Sequence, residues 1–346
     1  MRILFLCTDA YGGHGGIALY NRDLCAALAT RVEVTVIPRV VSGAIGDIPR
    51  NINFVAEAAR SNVAYLKAIA RARRTKFDLV ICGHVNLLPV AFDRPVLLAY
   101  GIEAWKPLKN ALSRRLLHNC RAVVAISAVT RDRLLGWSHY AGPAHLLPNA
   151  IHAEEYGLRT TRADLVERYR LKGKRVLLTV GRLHSAERYK GFDEVLAVLP
   201  SLPSDVVYLI AGGGNDFPRL QKLAMDRGVG DRVIFTGLFD EQDKPDLYAL
   251  ADVYVMPSRG EGFGFVFLEA RASGLPAIGS KHDGGAEALL GGELGLLVDP
   301  CNPAELRAAI LDQLAHGRRA IPERLAYFSF ENFTRRTSEI VDAVTL

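Results

Sequence analysis

Apolar runs of five or six residues recur along the whole chain, and most are followed by a stretch with helical spacing. The first, RILFLC, is β-branched and aromatic and closes on TDAYGGHGG. IALYNRDLCAALA follows, with Ile17, Leu24 and Leu28 on one helical face, and VEVTVI is the next strand. FDLVICGH, PVLLAY and AVVAIS repeat the strand signal; the last leads into SAVTRDRLLG, where Ser127 or Thr130 opens a helix. Around LPNAIHAEEYG the pattern breaks, and Pro148, Asn149 and Gly157 mark a linker. The alternation then restarts. RVLLTVGR, VVYLIAGGG, RVIFTG, VYVMPS, PAIGS and GLLVD read as strands, with FDEVLAVLPSL, RLQKLAMDRG and PDLYALA as helices between them. PAELRAAILDQLAHG and FENFTRRTSEIVDAV are two further helices. This order predicts an α/β chain of two Rossmann-like, doubly wound parallel sheets, divided as residues 1–155 and 156–329. Open sheets of this kind bind ligands beyond the carboxyl ends of their strands, so two halves predict a ligand cleft.

Composition narrows the class. With 346 residues, 49% hydrophobic and 23% charged, the chain is globular and too long for one ordinary core. A formal net charge of +6 favours anionic partners without choosing among them. Five scattered cysteines show no metal-ligand spacing and read as small buried hydrophobes of a reducing compartment. No apolar run approaches the roughly 18 residues that span a bilayer. The opening MRILFLC is a strand, too short for a signal-peptide core.

Four motifs fall at predicted strand ends. GGHGGIA offers a glycine turn at Gly12–Gly16 before a helix, where backbone amides approach a ligand closely. It is a weak dinucleotide fingerprint, because the second strand ends in TVIPRV without an acid. In GRLHSAERYKG, Gly181 and Arg182 end a strand and Lys190 comes eight positions later. A planar fork and a mobile point charge suit a diphosphate, although loop Lys and Arg are often only solvated. AGGGN places Gly212–Gly214 at another strand end. In EGFGFVFLEA, seven residues separate Glu261 on a loop from Glu269 on the following helix. Carboxylates accept through two oxygens and suit vicinal diols; two surface glutamates are the plainer alternative. The aromatics do not interleave with the basic runs, which argues against nucleic acid.

The stretch ADVYVMPSRGEGFGFVFLEARASGLPAIGS resembles the Glu–seven residues–Glu region of retaining GT-B glycosyltransferases, above all glycosyltransferase family 4. GRLHSAERYKG, YGGHGG, AISAVTRDRL and LPNAI extend the resemblance over nearly the whole chain. It implies a GT-B fold and a retaining, metal-independent hexosyltransferase. Such an enzyme moves a hexose from a nucleotide diphosphate sugar to a hydroxyl acceptor, in bacterial polysaccharide or glycolipid assembly. Arg182 and Lys190 would hold the diphosphate and neutralise the leaving group, and Glu261 would contact the sugar. Glu269 would bind the ribose, with amides of Phe263, Gly264 and Phe265 helping to seat sugar or phosphate. Gly181 and Gly212 belong to the same donor site, and Gly15 and Gly16 would close over the phosphates. The final helix, 330–346, would return to the first domain.

One departure stands out. Where many members carry His-Gly, LAYGIEAW has Tyr100 before Gly101, and His84 in CGHVNLLP is a candidate substitute. Both are candidate acceptor or sugar contacts. The Arg182–Lys190 spacing exceeds the family's shortest form. Absence of any Asp-x-Asp fits an expectation of no metal and no cofactor. Arg71, Arg73, Arg74 and Lys76, with Lys106, Lys109, Arg114 and Arg115, form basic clusters. In this family such surfaces meet anionic membrane, so a cytoplasmic chain peripheral to the inner face of the plasma membrane is expected, with a lipid-linked acceptor. The alternatives are a GT-B nucleotide-sugar epimerase and a degenerate, non-catalytic nucleotide-sugar-binding protein.

Overall fold

The computed structural model describes residues 1–318 and 320–345, which form two compact units. Unit 1 comprises Met1–Ala150 together with the segment that begins at Phe328; unit 2 is Ile151–Tyr327.

Unit 1 is built on seven parallel strands: β1 (Arg2–Cys7), β2 (Glu33–Pro38), β3 (Ile52–Phe54), β4 (Leu79–Cys82), β5 (Val96–Ala99), β6 (Ala122–Ala125) and β7 (Ala144–Leu146). Their order is β3-β2-β1-β4-β5-β6-β7, so the winding reverses between β1 and β4. Every residue of β4, β5 and β6 is buried, as in β1 after Arg2. Helices cover both faces of a parallel sheet, which explains continuous apolar runs in place of alternation. The terminal helix Phe330–Thr345 buries Phe333, Thr337, Val341 and Val344 on one stripe. It lies on the helix Gly16–Ala29, with the Phe333 ring edge-on to Tyr20 at 5.5 Å. Residue 346 of the predicted terminal helix lies outside the described residues.

Unit 2 has six parallel strands: β8 (Arg175–Val180), β9 (Val206–Ala211), β10 (Val233–Gly237), β11 (Val253–Val255), β12 (Ala277–Ser280) and β13 (Leu296–Val298). The order β10-β9-β8-β11-β12-β13 reverses between β8 and β11. Leu177, Tyr208, Ile210, Val253, Val255 and Ile278 form the inner layer of one core with the helices Phe192–Val198 and Pro303–His316. In each unit the crevice at the reversal is the natural place for a ligand.

Candidate functional site

In unit 2, β8 and β11 deliver their ends to the reversal point. Gly181 and Arg182 follow β8, and the loop Pro257–Gly264 follows β11. The segment Ser185–Lys190 is tied to that loop. The Arg259 amide donates to the Tyr189 carbonyl at 2.8 Å, and Gly260 lies against the Tyr189 ring. Gly191 has φ +89°, and a Cβ there would stand 2.6 Å from the Pro257 oxygen, so only glycine permits the approach. Lys190 is thereby laid along Gly181, where a Cβ would stand 3.4 Å from Lys190 Cδ. Its Nζ comes within 3.6 Å of Glu261 Oε2 and 3.6 Å of Glu187 Oε2. Arg182 Nη2 is 2.5 Å from Glu187 Oε1. The structure therefore gathers Gly181, Arg182, Lys190 and Glu261 into one cluster, with Glu187 at its centre. Arg182 remains 80% exposed, whereas the Lys190 side chain is only 15% exposed.

Asp283 holds the Glu261 loop from beneath. Its Oδ2 accepts from the Ser258 hydroxyl (2.7 Å) and the Glu261 amide (2.9 Å), and its Oδ1 accepts from the Gly285 amide (3.0 Å). The Gly284 amide donates to the Glu261 carbonyl at 2.9 Å. Burial pushes the Asp283 carboxyl up to about 6; its three hydrogen bonds oppose the rise and the neighbouring Glu261 adds to it. Gly264, at φ +92°, opens the helix Phe265–Ala272. The first amides of a helix have no intrahelical acceptor and suit anions or hydroxyls. The Phe263 side chain is buried and that of Phe265 half-buried, so both face a ligand chiefly through backbone.

Glu269 has separate partners. It is 1% exposed; Oε1 accepts from Lys244 Nζ (2.9 Å) and Oε2 from the Tyr248 hydroxyl (2.7 Å). Burial works to lower the Lys244 pKa, and Glu269 and Glu241 outweigh it, leaving the ammonium's pKa raised. Burial, then Glu269, pushes the Tyr248 and Tyr156 hydroxyls upward. Gly212 serves close packing: a Cβ there would stand 2.0 Å from the Gly181 oxygen, so the chain ends of β8 and β9 meet backbone to backbone.

Unit 1 presents its own strand ends. Gly12, at φ +74°, accepts the Ser42 and Gly43 amides on its carbonyl. Gly15, at φ +84°, precedes the helix Gly16–Ala29 and has open space where a Cβ would be. His84 follows β4; its Nδ1 accepts from the Asn86 amide at 3.1 Å, which leaves Nε2 as the donor of the neutral ring. Burial lowers the His84 pKa, against the pull of Glu103 and Asp9. Tyr100, by contrast, turns inward. Its hydroxyl donates to Asn21 Oδ1 at 2.6 Å, and its buried ring is edge-on to Tyr20. Burial dominates the rise in the Tyr100 pKa.

Glu187, Asp283, Lys244 and Tyr248 were not singled out by sequence reasoning. Glu187 had a local signal, standing three positions before Lys190; Asp283 had only an Asp before two glycines. Among the described residues, no helix is long and apolar enough to cross a membrane.

Residues 162–327 match the family glycosyl transferases group 1, and residues 14–155 match Glycosyltransferase Family 4. The chain is 31% identical over 244 residues to a GDP-mannose-dependent alpha-(1-6)-phosphatidylinositol monomannoside mannosyltransferase of Mycolicibacterium smegmatis, covering 67% of this chain and 63% of that protein. The enzyme of that name from Mycobacterium tuberculosis is 33% identical over 226 residues, 62% of this chain and 58% of its own. These matches thus span less than two thirds of the relatives' length. In fold, the chain is similar to Anabaena HepE in complex with UDP and glucose, at TM-score 0.77 and 20% identity over 99% of this chain and 100% of that one. It is similar too to sucrose-phosphate synthase of Thermosynechococcus elongatus, at TM-score 0.69 and 21% identity over 99% and 96%.

Proposed function

The chain belongs to glycosyltransferase family 4, with a GT-B fold, and from that premise we propose that it transfers a hexose from a nucleotide diphosphate sugar to a hydroxyl acceptor with retention. The observation that carries this reading is the pairing of Arg182 and Lys190 at the reversal point of unit 2, with Glu261 3.6 Å from Lys190. Two cations at one strand end suit the departing diphosphate, whose negative charge grows as the C1–O bond breaks. Glu261 accepts from hydroxyls of the donor sugar, on a loop that Asp283 holds still. Glu269 takes the ribose diol; its bonds from Lys244, Tyr248 and Tyr156 use three of roughly four acceptor positions on a carboxylate, so the diol replaces at least one of them. The acceptor oxygen forms the new bond to C1 as the C1–O bond to the diphosphate breaks, and its proton passes by way of the leaving phosphate to solvent. No metal is needed in this reading, since fixed cations supply the charge.

Lipid-linked acceptors and peripheral attachment to anionic membrane belong to the same proposal. Unit 1 supports them with exposed Arg71, Arg73, Arg74 and Lys76 on the same segment as exposed Val63 and Leu66. The inward Tyr100 favours a second reading, a chain that binds the donor without turning it over.

The donor is open to direct test, because one relative is named for GDP-mannose and a structural neighbour holds UDP. Thermal shift with GDP-mannose, UDP-glucose and ADP-glucose should single out one donor. Turnover of that donor should survive chelator, need an acceptor and give a retained anomeric configuration by NMR. Lys190→Ala should reduce turnover at least a hundredfold. Inverted product, or normal kinetics in Lys190→Ala, overturns the reading. Binding without turnover selects the non-catalytic reading.

A further inference from the structure

The cation pair at the end of β8 carries its own counter-anion. Glu187 reaches Arg182 with one carboxylate oxygen (2.5 Å) and Lys190 with the other (3.6 Å). The carboxylate thus bridges the two cations much as two oxygens of a diphosphate would. This is a built position. Glu187 leaves helical geometry at φ −110°, ψ 27°, and its amide donates to the His184 carbonyl at 2.7 Å. Its side chain is only 14% exposed, and Oε2 is buried without a hydrogen bond. Holding a carboxylate there costs desolvation, which the two cations offset.

The charges have a direct consequence. Arg182 and Lys190 face Glu187 and Glu261, so two positive charges meet two negative ones before any ligand is counted. The diphosphate of a nucleotide sugar carries two negative charges, one on each phosphate, because the β-phosphate is esterified to the sugar and joined to the α-phosphate by an anhydride. The nucleoside diphosphate left after transfer carries up to one more, on the β-phosphate that faces these cations. A fixed carboxylate at that point therefore opposes the product more than the donor, a repulsive element of the kind that sets specificity.

We propose that Glu187 is a specificity-determining residue that weakens binding of the nucleoside diphosphate product relative to the nucleotide-sugar donor, and so hastens product release. The proposal rests on the donor site described above, and it differs from an orienting role in its sign. If Glu187 only held Arg182 and Lys190 in place, its removal would weaken both ligands. As a repulsive charge, its removal tightens the product.

Isothermal titration of the wild type and of Glu187→Gln with GDP, UDP, GDP-mannose and UDP-glucose decides the matter. Glutamine keeps the shape and an oxygen acceptor for Arg182 while removing the charge. For the preferred base, the ratio of diphosphate to nucleotide-sugar affinity should rise about tenfold in Glu187→Gln, the effect of one additional unit charge at roughly 6 Å in a partly solvated site. The nucleotide sugar, with one charge fewer on its β-phosphate, should tighten less than the diphosphate, and product inhibition should deepen in proportion to that ratio. Glu187→Ala, with less side chain to misplace, should move in the same direction. A diphosphate-to-sugar affinity ratio unchanged in both variants, or weaker binding of both ligands, overturns the proposal and leaves the donor site standing. A wild type that binds none of the four probes overturns the donor site itself.

Discussion

At the residue scale, Asp283 occupies a place that its charged form fills best. Three donors converge on the carboxylate, and two of them, the Glu261 and Gly285 amides, cannot turn round. Only the Ser258 hydroxyl can reverse and accept, so an arriving proton has one good seat, on Oδ2. Burial places that protonation at about 6, above the 3.8 of a free aspartate. The folded form therefore takes up a proton between those values before the unfolded chain does. Stability from this group is fully present below about 4 and is lost as pH rises through 6, by at most about 3 kcal/mol. Function runs the other way, because the charged form anchors the Glu261 loop. Affinity for the nucleotide sugar, whose diphosphate does not titrate here, should fall below pH 6 while unit 2 does not weaken. In Asp283→Asn that acid limb should vanish, with a weaker plateau at neutral pH. Titration calorimetry from pH 5 to 8 checks this; an acid limb kept in the variant refutes it. Arg182 could be read in the sequence because it sits just past β8, where the fold class places ligands; Lys190 and Glu261 stand further along the loops after β8 and β11 and were singled out by their motifs. Asp283 was not, because its bonds to Ser258 and Glu261 join positions 25 and 22 residues apart. Glu269 was visible as a residue, but its pairing with Lys244 was not.

At the scale of elements, glycines at strand ends decide how closely segments approach. Gly191 combines a left-handed φ of +89° with a neighbour that leaves no room for a Cβ. Gly191→Ala should destabilise unit 2 by about 2–4 kcal/mol, partly from backbone strain and partly from the overlap with Pro257. By moving Lys190, it should also weaken diphosphate binding under conditions where the protein stays folded. A thermal melt paired with calorimetry reads both effects; an unchanged affinity would separate Gly191 from the placement of Lys190. The same scale shows where the sequence was hard to read. All six strands of unit 2 stood out as apolar runs, as did β1, β2, β4, β5 and β6 of unit 1. The three-residue β3 and β7 did not, because Asn53 and His145 interrupt their apolar runs. The helices Asn62–Ala72 and Ala111–Leu117 were not read as helices; only the basic residues in and around them were noted.

At the scale of the whole molecule, the net charge of +6 is spread unevenly enough to matter for partners. In unit 1 the helix Asn62–Ala72 buries Tyr65, Ala68 and Ile69 and turns Val63 and Leu66 outward, 61% and 52% exposed. The same helix and the turn after it carry Lys67, Arg71, Arg73, Arg74 and Lys76, all exposed. Leu112, 51% exposed, lies on the helix Ala111–Leu117, which also carries Arg114 and Arg115, and Lys106 and Lys109 precede it. Apolar groups surrounded by cations are what an anionic bilayer surface accepts: the apolar groups enter the interface and the cations stay at the headgroups. Each basic residue close to such a surface contributes about 1 kcal/mol, a term that falls off within a Debye length of roughly 8 Å at physiological salt. Full-length protein should therefore sediment with vesicles containing phosphatidylglycerol at low salt, stay in solution with neutral phosphatidylcholine, and be released as salt rises. Replacing Arg71, Arg73, Arg74 and Lys76 together by Gln should weaken the association at least tenfold, while Val63→Ser with Leu66→Ser should reduce what survives at high salt. Equal binding to neutral and anionic vesicles, or none to either, would remove the membrane from the proposal and leave a transferase that meets its acceptor in solution.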